Sequence, residues 1–188
     1  MRWRVILGCL LVLLSAALRA DVLEKLAARE GIAGQFTQEI ISPEGEVLER
    51  SHGNFSLLRP HFFRWEILTP DNQLLLANSN QLTQIDWDLE VVVERPIAET
   101  ARGPLQWLLA SRATLDSAFD ISLTGDAAVL IPMDSQSPYL RLDIAQMAET
   151  VWRLDAEDRG GQVLRVELRE NIDRPPQIAD FVAPITSF

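Results

Sequence analysis

The sequence predicts a mainly β, α+β fold: a curved antiparallel sheet whose apolar concave face is closed by short helices. Three observations lead there. Apolar and polar residues alternate from about residue 36 onward, turn residues break the alternation roughly every ten positions, and only two stretches carry helical spacing. Too little chain separates successive strands for the crossover helices of a parallel sheet.

The chain opens with a different signal. Met1 to Arg4 is basic, Val5 to Leu14 is an apolar run too short to span a bilayer, and Ser15 to Ala20 supplies small residues before Asp21. This is the pattern of a secretory signal peptide, with cleavage expected after Ala20 and Ala17 as the alternative. A lipoprotein signal ending at Cys9 fits less well, because Ile6 and Leu7 follow only a stub of apolar sequence. Export of the mature chain is therefore expected.

Removing residues 1–20 leaves residues 21–188, 168 in all, a length suited to one domain with a real core. It takes three of the 17 Lys+Arg and none of the 27 Asp+Glu, so the mature net charge is −13. Such a chain is repelled by phosphate backbones and anionic lipid, which argues against nucleic-acid partners and stable membrane anchoring; a monomer is expected. Cys9 is the one cysteine, so the mature fold has no disulfide and rests on packing.

Val22, Leu23, Leu26 and Ala27 recur at helical spacing, predicting a helix from Asp21, its N-cap, to about Arg29, closed by Gly31 and Gly34. Phe36, Gln38 and Ile40 share a face of the first strand, which stops at Ser42 to Gly45. The second runs from Val47 to Leu58, with a bulge or close backbone approach at Gly53, and ends at Arg59-Pro60. A third holds Phe63, Trp65 and Ile67, a fourth runs from Gln73 to Ala77 and stops at Asn78 to Asn80, and a fifth runs from Leu82 to Trp87. Asp88 leads to a sixth with Leu89, Val91 and Val93, ending before Pro96. Pro104 and the crowded Leu105, Trp107, Leu108 and Leu109 then predict a second helix, Ala101 to Ser111, apolar nearly all round. Alternation resumes at Phe119 to Leu123, Val129 to Ile131, Leu140 to Ile144, Val151 to Leu154 and Val163 to Leu168, the last two joined across Asp155 to Gly161. Ten or so twisted strands must curl, and two short helices suffice to cover only the concave face.

Several of these pieces, in order, resemble the LolA family of periplasmic lipoprotein carriers: Gly34 to Gln38, Gly53 to Pro60, Phe63 to Trp65, the Pro70 turn, Gln73 to Leu76, and Asp86 to Glu90, with Phe181 to Pro184 at the end. The resemblance implies an unclosed β-barrel whose hydrophobic cavity is lidded by helices. It further implies a chaperone that takes acylated lipoprotein cargo from an inner-membrane transporter, the donor, to an outer-membrane receptor, the acceptor. Leu82 to Ile85 and Val91 to Val93 depart from the family's habit, which leaves open a carrier for another lipid or a protein-interaction module.

The same resemblance makes Arg59 the lid latch, its guanidinium bonding helix carbonyls in the closed state. It makes Phe36, Phe55, Leu57, Phe63, Trp65, Ile67, Trp87, Leu89 and Val91 the lining of the acyl-chain cavity. Alternation by itself says only that these residues are buried. Leu105, Trp107, Leu108 and Leu109 are suited to the lid helix that the resemblance implies. No catalytic residue, metal or cofactor is expected: His52 and His61 have no nucleophile motif beside them and read as surface or edge residues. Neither Asp86/Asp88/Glu90 nor Asp155/Glu157/Asp158 has the spacing of a calcium loop.

Overall fold

The computed structural model describes residues 20–79, 81–96 and 104–184. The signal segment up to Arg19, with Cys9, lies outside the described residues, as do Asn80 and the Ala101 to Gly103 start of the second expected helix.

Helix α1 (Val22–Ala27) begins at a capping box, in which the Asp21 carboxylate accepts from the Leu23 and Glu24 N–H groups at 2.9 Å each while Glu24 accepts from the Asp21 N–H at 3.2 Å. A helix of this length is not stable alone. It is held by Val22, Leu23 and Leu26, all buried, each contributing about 1.5–3 kcal/mol. Gly31 and Gly34 do not close the helix but lie within the first strand, β1 (Gly31–Ile41). There follow β2 (Val47–Leu58), β3 (Phe62–Thr69), β4 (Gln73–Ala77), β5 (Gln81–Asp86) and β6 (Val91–Pro96). After the 3-10 turn Pro104–Leu108 comes α2 (Arg112–Ala118), then β7 (Phe119–Thr124), β8 (Ala127–Pro132), β9 (Tyr139–Ala148), β10 (Val151–Asp158) and β11 (Val163–Glu170).

The eleven strands form one antiparallel sheet in the order β6-β5-β4-β3-β2-β1-β11-β10-β9-β8-β7. Its end strands β6 and β7 do not pair, so the barrel is unclosed. Meander connections make every neighbour local except β1 with β11, which joins the two halves. Both expectations for Gly53 hold: the β2–β3 register shifts at His52/Gly53, and a Cβ on Gly53 would lie 1.8 Å from the Glu66 carbonyl oxygen.

The inner face carries the main core, in which Phe36 stacks on Trp65 with ring centroids 3.7 Å apart. A smaller cluster of Leu74, Leu76, Ile85 and Phe181 lies on the other face, where the C-terminal segment folds back over β4 and β5.

Two local expectations are corrected. The Pro104 region forms one 3-10 turn rather than an α-helix, and the α-helix follows it, capped by Ser111. The sequence signal for α2 is faint because only Leu115 of its residues is buried. Asp155 and Glu157 belong to β10, and the turn proper is confined to the residues after Asp158, whose carboxylate accepts from Gly160 and Gln162 N–H at 2.8 and 2.9 Å.

Candidate functional site

Arg59 follows β2 at the end of the sheet where α1 sits, and the side chain turns under the helices. Nε donates to the carbonyl of Arg29 at 2.9 Å, and Nη2 donates to Leu26 at 3.1 Å and Leu108 at 3.0 Å. Nη1 donates to Ala110 at 3.1 Å and to the carbonyl of Leu109. These oxygens come from the C-terminal end of α1 and from the 3-10 turn and its exit, where carbonyls run short of intrahelical donors, although that of Leu26 also accepts from the Arg29 N–H at 3.2 Å. The planar fork of donors suits them, and the positive charge suits the negative ends of both elements. Among the described residues no carboxylate pairs with Arg59, and burial pushes its pKa down from the ordinary arginine value.

Beside this guanidinium lies a cavity of about 850 Å³. Phe63, Leu75, Ala77 and Leu82 of β3 to β5 form one wall, and Leu105, Trp107 and Leu109 form the other. The volume is near the top of the usual range for small-molecule sites, roughly 300–1,000 Å³. Trp107 stands edge-on to Phe119 at 4.6 Å and so packs on the sheet while facing the cavity.

Two ion pairs fasten the helices. Arg112 of α2 reaches the Asp21 carboxylate at 2.6 Å, and Lys25 of α1 reaches Asp126 in the β7–β8 turn at 2.6 Å. Burial alone would raise the Asp21 carboxyl, but hydrogen bonds from the Glu24 N–H and Arg112, and the charge of Arg112, outweigh it and hold the pKa below its ordinary value.

The residues proposed from sequence as cavity lining separate into three groups. Phe63 faces the cavity directly. Phe36, Phe55, Leu57 and Trp65 are buried in the inner-face core behind it, with Ile67 half-buried against them. Trp87, Leu89 and Val91 require correction. Ala77 pairs with Leu82, so the inward positions pass from odd to even numbers between β4 and β5, and Trp87 packs with the outer cluster. Leu89 sits in the β5–β6 turn and is 71% exposed. Val91 pairs with Asp86 on the inner side of the edge strand but is 44% exposed. Of the lid residues, Leu108 is buried in the core rather than facing the cavity.

Leu75, Ala77 and Leu82 were not singled out by the sequence, although once the β4–β5 register is fixed their alternation identifies them. His61 also lines the cavity, and its Nε2 meets Ser79 Oγ at 2.6 Å. Of the first acidic set, Asp86 and Asp88 serve turns: Asp86 accepts from the N–H groups of Asp88 and Leu89, and Asp88 accepts from the Asn72 N–H.

The sequence model of the family described as outer membrane lipoprotein carrier protein LolA matches residues 28–181. The chain belongs to the LolA family. Among relatives of LolA type, the outer-membrane lipoprotein carrier protein of Alkalilimnicola ehrlichii is 31% identical over 178 residues, covering 90% of this chain and 81% of its own length. That of Bordetella avium is 29% identical over 164 residues, covering 84% and 78%. That of Vibrio cholerae is 30% identical over 148 residues, covering 77% and 74%. A LolA superfamily protein from Nitrosomonas europaea superposes with a TM-score of 0.49 at 10% identity, covering 86% of this chain and 96% of that one.

Proposed function

We propose that this chain is a periplasmic carrier that shields the acyl chains of lipoproteins and moves them from the inner to the outer membrane. The observation that carries the reading is the apolar cavity between β3 to β5 and the Leu105–Leu109 segment, with Arg59 holding that segment and α1 together.

Each acyl CH₂ removed from water is worth about 0.8 kcal/mol, so a multiply acylated protein does not leave a membrane unescorted at a useful rate. A carrier must cover that surface and still give it up. Here the closed lid supplies the competitor. Leu105, Trp107 and Leu109 face the β3 to β5 wall across the closed cavity, so cargo with more hydrocarbon than that space holds needs the Arg59 bonds broken and the segment lifted. The energy of that opening is subtracted from the affinity, which keeps release possible.

In this scheme residues 1–20 are removed on export, residues 21–188 act as one monomeric domain, and Arg59 is the latch. Phe63, Leu75 and Leu82 meet cargo first, and the core behind them, including Phe36, Phe55, Leu57, Trp65 and Ile67, yields space as the barrel opens. Donor and acceptor are an inner-membrane transporter and an outer-membrane receptor. Mass spectrometry of material co-purified from the periplasm tests the scheme. Stoichiometric triacylated lipoprotein is expected. Free lipid alone would make the chain a carrier of another lipid, and a stoichiometric unlipidated protein would make it an interaction module.

A further inference from the structure

The cavity is present while the latch is shut. With all five Arg59 hydrogen bonds made, it still holds about 850 Å³, the size of a site for one small ligand rather than for several acyl chains at once. Its walls, Phe63, Leu75 and Leu82 against Leu105, Trp107 and Leu109, suit a single hydrocarbon chain.

The charge around it runs against that of the whole chain. The protein has 27 Asp+Glu to 17 Lys+Arg, yet none of the described residues that line the cavity is acidic. The polar ones are Arg59, His61, Gln106, Ser111 and Thr114. Arg59 is engaged by the helix carbonyls, and Ser111 Oγ accepts from the Thr114 N–H at 3.1 Å and meets Thr114 Oγ1 at 2.8 Å. That leaves His61 and Gln106 for a ligand. His61 Nε2 lies 2.6 Å from Ser79 Oγ; when that hydroxyl donates, the ring proton sits on Nδ1, which is then a donor. Gln106 brings an amide from the other wall, between Leu105 and Trp107. A third group stands at the edge of the sheet. Arg95 of β6 pairs with cavity-lining Leu82, so it lies on the cavity's side of the edge strand, exposed and without an ion pair among the described residues.

We infer that the latched cavity is a binding site for a single-chain anionic lipid. The chain lies between the β3 to β5 wall and the Leu105–Leu109 segment, and His61, Gln106 and Arg95 hold the carboxylate or phosphate at its head. Such a ligand goes beyond lipoprotein cargo, because it takes the lid shut where a multiply acylated protein needs it lifted. Its binding therefore favours the closed state and competes with loading. The long-range field of an acidic protein attracts cations and repels anions, so a preference for the anion over the cation comes from these local groups.

Laurate, dodecanol and dodecylammonium have chains of equal length and differ at the head. Calorimetric titration of the mature protein at neutral pH is expected to show laurate bound about tenfold more tightly than dodecanol, and dodecylammonium most weakly. A lauroyl lysophosphatidylglycerol separates the two sources of the anion: binding at least as tight as that of laurate assigns the site to a phospholipid head, and weaker binding assigns it to a fatty acid. His61→Phe, Gln106→Met and Arg95→Gln are each expected to narrow the laurate-to-dodecanol ratio by about threefold or more. Arg95 is exposed, so its variant keeps the test decisive should a substitution in the lining disturb packing. Hydrogen exchange reports the lid, and the amides of α1 and of the Pro104–Leu108 turn are expected to exchange more slowly with laurate bound. No binding of laurate, equal affinity for laurate and dodecanol, dodecylammonium bound as tightly as laurate, a laurate preference that survives all three substitutions, or faster exchange of the lid amides overturns the inference. Each of these leaves the lipoprotein reading standing, since that reading is tested on co-purified cargo, and its failure there would leave this site untouched.

Discussion

Arg59 donates its Nε–H to the main-chain carbonyl of Arg29 at 2.9 Å, while the side chain of Arg29 is itself tied to Glu170 of β11 at 3.2 Å. The Glu170 side chain is only 6% exposed, so the carbonyl that Arg59 grips is anchored to the sheet and not to a free loop. The latch therefore closes onto a fixed point. Arg59→Leu removes all five of its hydrogen bonds while keeping an aliphatic side chain beside the cavity. The variant is expected to fold, to bind acylated ligand roughly tenfold more tightly because closure no longer competes, and to pass cargo on more slowly. Transfer rates between liposomes and an acceptor check this. Equal rates for the two proteins would remove Arg59 from the mechanism.

The Asp21–Arg112 pair joins α1 to α2 and gives the lid a dependence on acid. The Asp21 pKa is depressed in the folded protein, so the stabilisation it gives is present above the unfolded value near 3.8 and is lost as pH falls through the folded value. Asp21→Asn keeps the helix cap but loses the charge, so it is expected to lower stability at neutral pH by roughly 0.5–1 kcal/mol and to flatten the acid limb of the stability curve below about pH 4. A double-mutant cycle with Arg112→Gln, followed by urea unfolding across pH, measures the coupling. Additive effects of the two substitutions would mean the helices are not clipped at this point.

The strands were legible in the sequence because each half-buried strand writes its period directly, and because turn residues such as Ser42 to Gly45 and Pro70 to Asn72 mark the ends. The faces were harder. In Gln73 to Ala77 the apolar run hides the alternation, and only pairing shows that Leu75 and Ala77 turn inward while Leu74 and Leu76 turn out to meet Phe181. Extending the odd-numbered phase past that turn is what placed Trp87 on the wrong side, and Leu89 fell in a turn whose last residue, Glu90, has φ 56°. Arg59 stood out through its family motif, but its carbonyl partners come from segments about 30 and 50 residues away, a relation no local pattern carries.

Trp107 reports on the lid. It touches the cavity on one side and Phe119 on the other, so displacement by a hydrocarbon chain changes its surroundings whichever way it moves. With Trp65, Trp87 and Trp152 replaced by phenylalanine, Trp107 is the one tryptophan of residues 21–188. Its emission maximum is expected to shift on addition of an acylated lipopeptide and to stay put with the unacylated peptide. Measured binding without a spectral change would mean that the Leu105–Leu109 segment stays in place and cargo enters elsewhere.

At Gly53 the β2–β3 register shifts and the two backbones approach closely. A Cβ there would lie 1.8 Å from the Glu66 carbonyl oxygen and 3.0 Å from the ring of Phe36. The first obstacle is backbone, which cannot swing aside as a side chain can, so Gly53→Ala must push the two strands apart next to the Phe36–Trp65 stack. The expected loss of stability is about 2 kcal/mol or more, which lowers the midpoint of urea unfolding. Gly45→Ala is the matched control. It lies in the exposed β1–β2 turn with φ 90° and no atom within 4 Å of a new Cβ, so its penalty comes from backbone strain alone. The two substitutions should differ in kind as well as size. Gly53→Ala alters the sheet beneath the cavity and is expected to weaken lipopeptide binding even where the protein remains folded, whereas Gly45→Ala leaves binding unchanged. Equal binding by both variants would mean the β2–β3 approach contributes to folding but not to the shape of the interior.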